Sequence, residues 1–143
     1  MASSYTEHFQ LNQWAAEDPV LREDFNADNA KLDKVIPRIV TGTYTGDGAA
    51  DRTIQLGFRP KAVLLFPEDG TTCFYYCPPN YFTCQGGLIL DGYPLRLKND
   101  RCNIICAEIT DTGFAVKIFS DQSKAANIAT NRNGTVYHYL ALA

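Results

Sequence analysis

The fold is decided by residues 52–67, which read RTIQLGFRPKAVLLFP. In the first part of this stretch, Ile54, Leu56 and Phe58 alternate with polar residues or glycine. Successive side chains of a strand point to opposite faces, so this alternation predicts a strand over 52–58 with one face buried. A second apolar run, Pro60–Pro67, follows it directly.

The second run is apolar on both of its faces. Ala62, Leu64 and Phe66 share one face, whereas Val63 and Leu65 share the other. In a two-layer sandwich made by a single chain the outer face of each sheet is usually solvated, so this strand needs a second cover. The cover is either the N-terminal helix or another subunit. We expect Val63 and Leu65 to contribute to an oligomer interface.

Short β runs separated by turn residues fill the rest of the chain after Pro37. They lie at Arg38–Thr45 and near 71–77, 81–90, 102–110, 113–120 and 134–142. Glycines mark a turn at 46–48, and Thr110-Asp-Thr-Gly113 predicts a tight hairpin. Several antiparallel strands with glycine-rich turns predict a mainly β fold, an antiparallel β-sandwich over residues 38–143.

The segment before Pro37 predicts one α-helix over residues 19–36. Asp18 is a favoured N-cap, Pro19 suits the first helical position, and Pro37 ends the helix. The helix has an apolar stripe with Asp28 at the one missing position. The stripe consists of Leu21, Phe25, Leu32 and Val35. It indicates either an oligomer interface or packing on the chain's own β-body. Residues 1–18 show no period and are interpreted as a docking segment ahead of this helical stalk.

Composition argues against two classes of partner. The chain has 143 residues and a formal net charge of -3, whereas nucleic-acid binding favours a basic face. No stretch approaches the roughly 18–20 continuous apolar residues of a membrane span. The N-terminus has neither the basic start nor the apolar run of a secretion signal. We expect synthesis in a cytoplasm, no nucleic-acid partner and no membrane insertion.

Several phrases of the sequence resemble proteins of phage tails. Leu11-Asn-Gln-Trp14 and Asp24-Phe-Asn-Ala-Asp-Asn29 resemble the start of tail-fibre and receptor-binding proteins in phages and prophages of Gram-positive bacteria. Thr41-Gly-Thr-Tyr-Thr-Gly-Asp-Gly48 and the final Asn133–Ala141 are similar to short fibre-tip domains of the same phages. More loosely, the body resembles the H-type lectin fold, an antiparallel sandwich that forms trimers and binds sugars. The likeness covers nearly the whole chain outside about residues 68–106.

The resemblance implies a component of the virion tail that is assembled in the host cytoplasm. Its N-terminus would dock to a tail or baseplate protein. Its sandwich, as a homotrimer, would bind a host-surface glycan or protein. The sequence contains no common motif for a nucleophile, a phosphate loop or a metal, so we expect no enzyme activity and no cofactor. A structural connector or decoration protein of the virion, without receptor binding, is the alternative.

Polar residues in two regions are candidates for receptor binding. If the helix faces the particle, the turns after the first and third strands lie at the distal tip, which carries Asp47, Asp51 and Asp69. Segment 121–133 is interpreted as a long polar loop whose side chains suit hydroxyl groups. Its candidates are Lys124, Asn127, Asn131, Arg132 and Asn133. Ordinary turn chemistry and a solvated connection are the simpler explanations of the same residues.

The middle of the chain is rich in aromatic residues. Phe74-Tyr-Tyr76, Tyr81-Phe82 and Tyr93 lie close together in the sequence. Aromatic residues in strands usually pack into a core, but an exposed tyrosine ring stacks well on a sugar and keeps a polar tip. Both interpretations stay open on the sequence alone.

The same region contains all five cysteines of the chain. Cys73 and Cys77 are four residues apart, as are Cys102 and Cys106, so each pair places two sulfur atoms on one strand face. If the two strands paired, four sulfur atoms could surround a zinc ion. Buried free thiols and a disulfide are the alternatives, and we predict no metal site.

Overall fold

The computed structural model describes residues 2–76 and 81–143. It is mainly β with one helix, so the predicted fold class is confirmed. The chain forms two compact units, one ending at Arg38 and the other running from Ile39 to Ala143. No helix in the described part is long and apolar enough to cross a membrane.

The first unit contains a short hairpin and the helix. Strands β1 (Ser4–Tyr5) and β2 (Asn12–Gln13) pair antiparallel, and helix α1 spans Arg22–Val35. The predicted start at residue 19 is wrong, because the Asp18 carboxylate is used elsewhere. It accepts hydrogen bonds from the Ser3 and Ala15 backbone N–H groups at 2.9 and 2.8 Å. Leu21 therefore occupies the N-cap position, without a side-chain cap.

The N-terminal arm packs on helix α1 through Asp28. This carboxylate accepts the Asn12 backbone N–H and the Asn12 side-chain amide, both at 2.9 Å. Beside it the Trp14 and Phe25 rings lie 5.0 Å apart. The polar break in the apolar stripe is thus the place where the arm binds. The stripe residues Leu21, Phe25 and Val35 are about half exposed, and their role in an interface stays a prediction.

The second unit is built from two sheets. The smaller sheet has the order β3-β13-β5-β8 and the larger one the order β6-β7-β12-β11-β10-β9, with β4 also pairing with β11. The strands are β3 (Ile39–Thr45), β4 (Asp51–Gln55), β5 (Ala62–Pro67), β6 (Cys73–Tyr76), β7 (Tyr81–Cys84), β8 (Gly87–Leu90), β9 (Leu95–Lys98), β10 (Asn103–Thr110), β11 (Gly113–Asp121), β12 (Ala126–Ala129) and β13 (Val136–Leu142). All pairs are antiparallel except β12 with β7. The predicted hairpin at Thr110–Gly113 is present between β10 and β11.

The main core lies between the two sheets. Val63 and Leu65 of the smaller sheet are fully buried in one cluster with Phe114 and Val116 of the larger sheet. The expectation that Val63 and Leu65 form an oligomer interface is therefore wrong, because both are enclosed within their own sandwich. On β5, the side chains that point away from this core belong to the alternate positions Ala62, Leu64 and Phe66.

Strands β10 and β11 part beyond Ala107 and Val116, and this divides the larger sheet. Past that point β12 pairs with the second half of β11. Thr130 lies at the point where β10 and β11 separate, which is called the fork below. Its hydroxyl oxygen accepts the Lys117 N–H at 2.8 Å and donates to the Cys106 carbonyl at 2.8 Å. The β9–β10 branch and the β12–β7–β6 branch enclose a second core of Cys84, Leu97, Cys106, Ala126 and Ile128. The predicted polar loop over 121–133 instead contains strand β12 and the 3₁₀ helix Gln122–Lys124.

Two buried tyrosines fix the chain after β12. The Tyr44 and Tyr137 rings stack with their centroids 4.9 Å apart. The Tyr44 hydroxyl donates to the Thr130 carbonyl at 2.6 Å, and the Tyr137 hydroxyl donates to the Ala129 carbonyl. Burial raises the pKa of both phenols, so each stays a neutral hydrogen-bond donor.

We expect Thr130→Val to lower the free energy of unfolding by about 1–3 kcal/mol. Valine keeps the shape but leaves the Lys117 N–H and the Cys106 carbonyl without their buried partner. Urea unfolding of the full chain measures the change. Thr53→Val, an exposed strand position of the larger sheet, is the matched control and should change little. Equal losses in the two variants would contradict the role given to the Thr130 hydroxyl.

We expect the arm to detach from helix α1 in acid. Burial raises the pKa of Asp28, but hydrogen bonds from Asn12 and Lys31 outweigh it and hold the pKa below its usual value. The bound carboxylate therefore stabilises the packing of the arm at pH values above the pKa that Asp28 has in the unfolded chain. This stabilisation is lost as the pH falls through the lower pKa that Asp28 has in the folded chain. Protection of the Asn12 amide from hydrogen exchange should fall below about pH 4. In Asp28→Asn that acid-dependent loss should be absent; unchanged protection of the parent at low pH would refute the mechanism.

Candidate functional site

Three connections of the second unit meet at one end of the smaller sheet. Thr45 and Pro67, the last residues of β3 and β5, lie beside Val136 and Tyr137 at the start of β13. The turns after β3 and β5 therefore share this end with the segment before β13. This brings together five of the predicted recognition residues: Asp47, Asp69, Asn131, Arg132 and Asn133.

Asn131 organises this end from within. It is fully buried, and its side-chain amide donates to Asp47 Oδ1 at 2.7 Å and to the Ala49 carbonyl at 3.0 Å. The hydrogen bond from the Ala49 N–H, then that from Asn131, holds the pKa of Asp47 below its usual range. Gly46 is required here, because a Cβ at this position would lie 2.1 Å from the Arg132 carbonyl oxygen. Asn131 is thus committed to the loop and cannot reach a receptor.

The remaining predicted residues also have partners within the chain. The Asp51 carboxylate lies 2.6 Å from Lys117 Nζ, and Lys124 Nζ lies 3.3 Å from Asp121. The Asn127 amide donates to the Thr83 hydroxyl at 3.2 Å. Lys124 and Asn127 lie before and within β12, whereas Asn131 follows it. The structure does not gather Lys124 and Asn127 with the residues around Asp47.

Strands β6 and β7 expose a cluster of aromatic rings. Tyr75 and Tyr76 are 53% and 57% exposed, and Phe74 and Phe82 are 36% and 38% exposed. Tyr75 and Phe82 face each other across the two strands, with ring centroids 4.8 Å apart and planes tilted by 46°. Of the two interpretations open on the sequence, the exposed one therefore holds for these four rings.

A charged turn stands beside Tyr75 and Phe82. Asn99 fixes the connection between β9 and β10, because its side-chain oxygen accepts the Arg101 and Cys102 N–H groups at 2.7 and 2.9 Å. Its amide donates to the Lys124 carbonyl at 3.1 Å, which ties the turn to the 3₁₀ helix. Asp100 and Arg101 then project into solvent, with carboxylate and guanidinium 3.9 Å apart.

These groups line a groove of about 480 Å³, formed by Tyr75, Phe82, Asp100, Arg101 and Ala125. The space between the β9–β10 branch and the β12–β7–β6 branch is a cleft with the second core at its bottom. The groove lies at the opening of this cleft, since Phe82 and Cys84 point to the same side of β7. Ring faces accept the apolar face of a pyranose, and a carboxylate with a guanidinium can bind its hydroxyl groups. The arrangement suits a carbohydrate.

Sequence reasoning missed Asp100 and Arg101. The only available signal is the polar run Lys98-Asn-Asp-Arg101, which reads as an ordinary turn. Their position next to the aromatic rings depends on the larger sheet folding back on itself, which residues distant in the sequence control.

The two cysteine-bearing strands considered for zinc do not pair. Strand β6 lies against β7, whereas β10 lies between β9 and β11. Cys73, Cys84, Cys102 and Cys106 are free thiols, and Cys77 lies outside the described residues. Within residues 2–76 and 81–143 no group of three or more His, Cys, Asp or Glu side chains could hold a metal ion.

Comparisons of the chain with protein-family models, curated proteins and solved structures found no match.

Proposed function

We propose that the chain is a tail-fibre or receptor-binding protein of a phage and that its sandwich binds a host-surface glycan in the groove. The observation that carries the proposal is the exposed Tyr75–Phe82 pair beside Asp100 and Arg101. The resemblance of the N-terminal phrases to phage tail-fibre proteins supplies the setting. The N-terminal unit would attach the chain to a tail or baseplate protein, in a virion assembled in the host cytoplasm.

The exposure of the rings supports a binding role. An aromatic side chain buries about 150–250 Å² when it enters a core, which stabilises a fold at roughly 25 cal/mol per Å². Tyr75 and Phe82, on the groove face of the hairpin, forgo part of this stabilisation. Their exposure is explained if a ligand covers them. Contact of this kind binds without cleaving a bond, so the proposal needs no catalytic residue and no cofactor.

We also propose a homotrimer, in which a second copy covers the outer face of the smaller sheet. The outward positions of β5, β8 and β13 form an apolar surface next to Ile39 of β3. Val136 and the exposed His138 are also outward on β13, and the apolar surface is made by Ala62, Leu64, Phe66, Leu88, Leu90, Leu140 and Leu142. Leu88 is 53% and Ile39 is 59% exposed, and a contiguous apolar surface marks a contact with another protein. Several copies would multiply a weak glycan affinity at a cell surface.

We expect the full chain to bind at least one oligosaccharide in an immobilised panel prepared from bacterial envelopes. Tyr75→Ala should weaken that binding about tenfold, since one stacked ring contributes on the order of 1.4 kcal/mol. Arg101→Ala should also weaken it, whereas Tyr75→Phe should keep most of the affinity. Tyr93→Ala is the matched control, because Tyr93 is 76% exposed and lies outside the groove.

A connector or decoration protein would give a different result. No oligosaccharide would bind, and Tyr75→Ala particles would attach to host cells as well as the parent. Equal weakening of oligosaccharide binding by Tyr75→Ala and Tyr93→Ala would show that the ligand does not bind in the groove.

We expect light scattering to give a mass about three times the 15.9 kDa of one chain. Leu88→Lys should reduce the mass to that of a monomer, because a charge is costly to bury in an apolar contact. Thr53→Lys, at an exposed strand position of the larger sheet, should leave the mass unchanged. A monomeric parent chain would contradict the trimer without bearing on the groove.

A further inference from the structure

Cys73 and Cys84 stand directly opposite each other on β6 and β7. The Gln85 N–H donates to the Thr72 carbonyl at 2.7 Å, one residue outside this pair. That bond places Cys73 and Cys84 in a non-hydrogen-bonded position of the ladder, where opposing Cα atoms lie only about 4.5 Å apart. The spacing falls within the roughly 4.4–6.8 Å that a disulfide requires.

The two thiols differ in access and in their neighbours. Cys73 is exposed, at the outer strand of the sheet, whereas Cys84 is 3% exposed and lies in the second core. The fully buried Cys106 thiol stands beside Cys84. A hydrogen bond from Cys106 lowers the pKa of Cys84 against the effect of burial, while Cys84 and burial together raise the pKa of Cys106. Because Cys84 is also directly opposite Cys73, it is the buried thiol placed to attack.

We propose that Cys73 and Cys84 form a cross-strand disulfide when the reduced chain meets a small-molecule disulfide such as oxidised glutathione. Burial raises the pKa of Cys73, so its minor thiolate form attacks one sulfur of that molecule, forms a mixed disulfide and releases one thiolate. The Cys84 thiolate then attacks the Cys73 sulfur and displaces the second thiolate. Two protein thiols lose two electrons and two protons in total, and one small-molecule disulfide becomes two thiols.

The bond would tie the outer strand to its neighbour. Strand β6 has β7 as its one partner in the described part of the chain. Cys73 and Tyr75 share a face of β6, and Phe82 and Cys84 share a face of β7, so the bond would lie next to the paired rings. It would form whether or not the hairpin binds a glycan.

The test treats the full chain with oxidised glutathione, blocks the remaining thiols with iodoacetamide in denaturant and digests without reduction. Aromatic residues at 74–76 and 81–82 give chymotrypsin cleavage sites between Cys73, Cys77 and Cys84, so each bridge yields a different pair of fragments. Mass spectrometry should find the Cys73 and Cys84 fragments linked. The intact chain should lose about 2 Da and carry no glutathione.

Cysteine variants distinguish the Cys73–Cys84 disulfide from other reactions of the thiols. Cys73→Ser should abolish the linked fragments and leave Cys84 open to iodoacetamide, whereas Cys102→Ser should change nothing. Oxidation should raise the Tm of the parent chain by about 5 °C and that of Cys73→Ser not at all. A lasting glutathione adduct on Cys73, or a bridge from Cys73 to Cys77 or from Cys84 to Cys106, would overturn the proposal.

Discussion

The hydroxyl group of Thr130 holds the fork on which half of the sandwich depends. Strands β10 and β11 separate beyond Ala107 and Val116. The backbone groups that each strand would have paired with the other would then be left without partners inside the protein. One threonine side chain satisfies the Lys117 N–H and the Cys106 carbonyl together. Because the fork is stable, β12 can leave the plane of β10 and carry β7 and β6 with it. The cleft, the second core and the groove all follow from this separation.

The turns around Asn131 and the groove use polar side chains differently. Around Asn131, the buried amide binds the exposed Asp47 carboxylate and the buried Tyr137 phenol binds backbone groups, and these bonds fix the turn at Asp47. Satisfied groups of this kind give a unique conformation and have little left to offer a ligand. At the groove the situation is reversed. Asn99 positions the turn, while Asp100, Arg101 and the two rings face solvent. Recognition is therefore better placed at the groove.

Local pattern predicted the fold but not the site. The alternation over 52–58 and the turn at Thr110–Gly113 concern neighbouring residues, so the sequence predicted strand β4, although that strand ends at Gln55, and the β10–β11 hairpin. The predicted helix start is wrong because Asp18 accepts hydrogen bonds from Ser3 and Ala15 instead of capping α1. The prediction of a loop over 121–133 is wrong because β12 lies between β11 and β7, and β7 is distant in the sequence. Whether Tyr75 is buried depends on β6 being the outer strand, which no local pattern reveals.

The outer position of β6 also explains the composition of its hairpin. An outer strand presents unpaired backbone groups, and proteins commonly protect such edges with charged residues. Strand β6 reads Cys-Phe-Tyr-Tyr and carries no charge. Its bulky rings pack across to β7, where Tyr75 meets Phe82, and Cys73 sits opposite Cys84 two residues away. Cross-strand side-chain pairs thus hold this edge in register. Tyr75 and Phe82 stabilise this edge and also form a wall of the groove. A change that weakens the pairing of β6 with β7 therefore also changes the shape of the site.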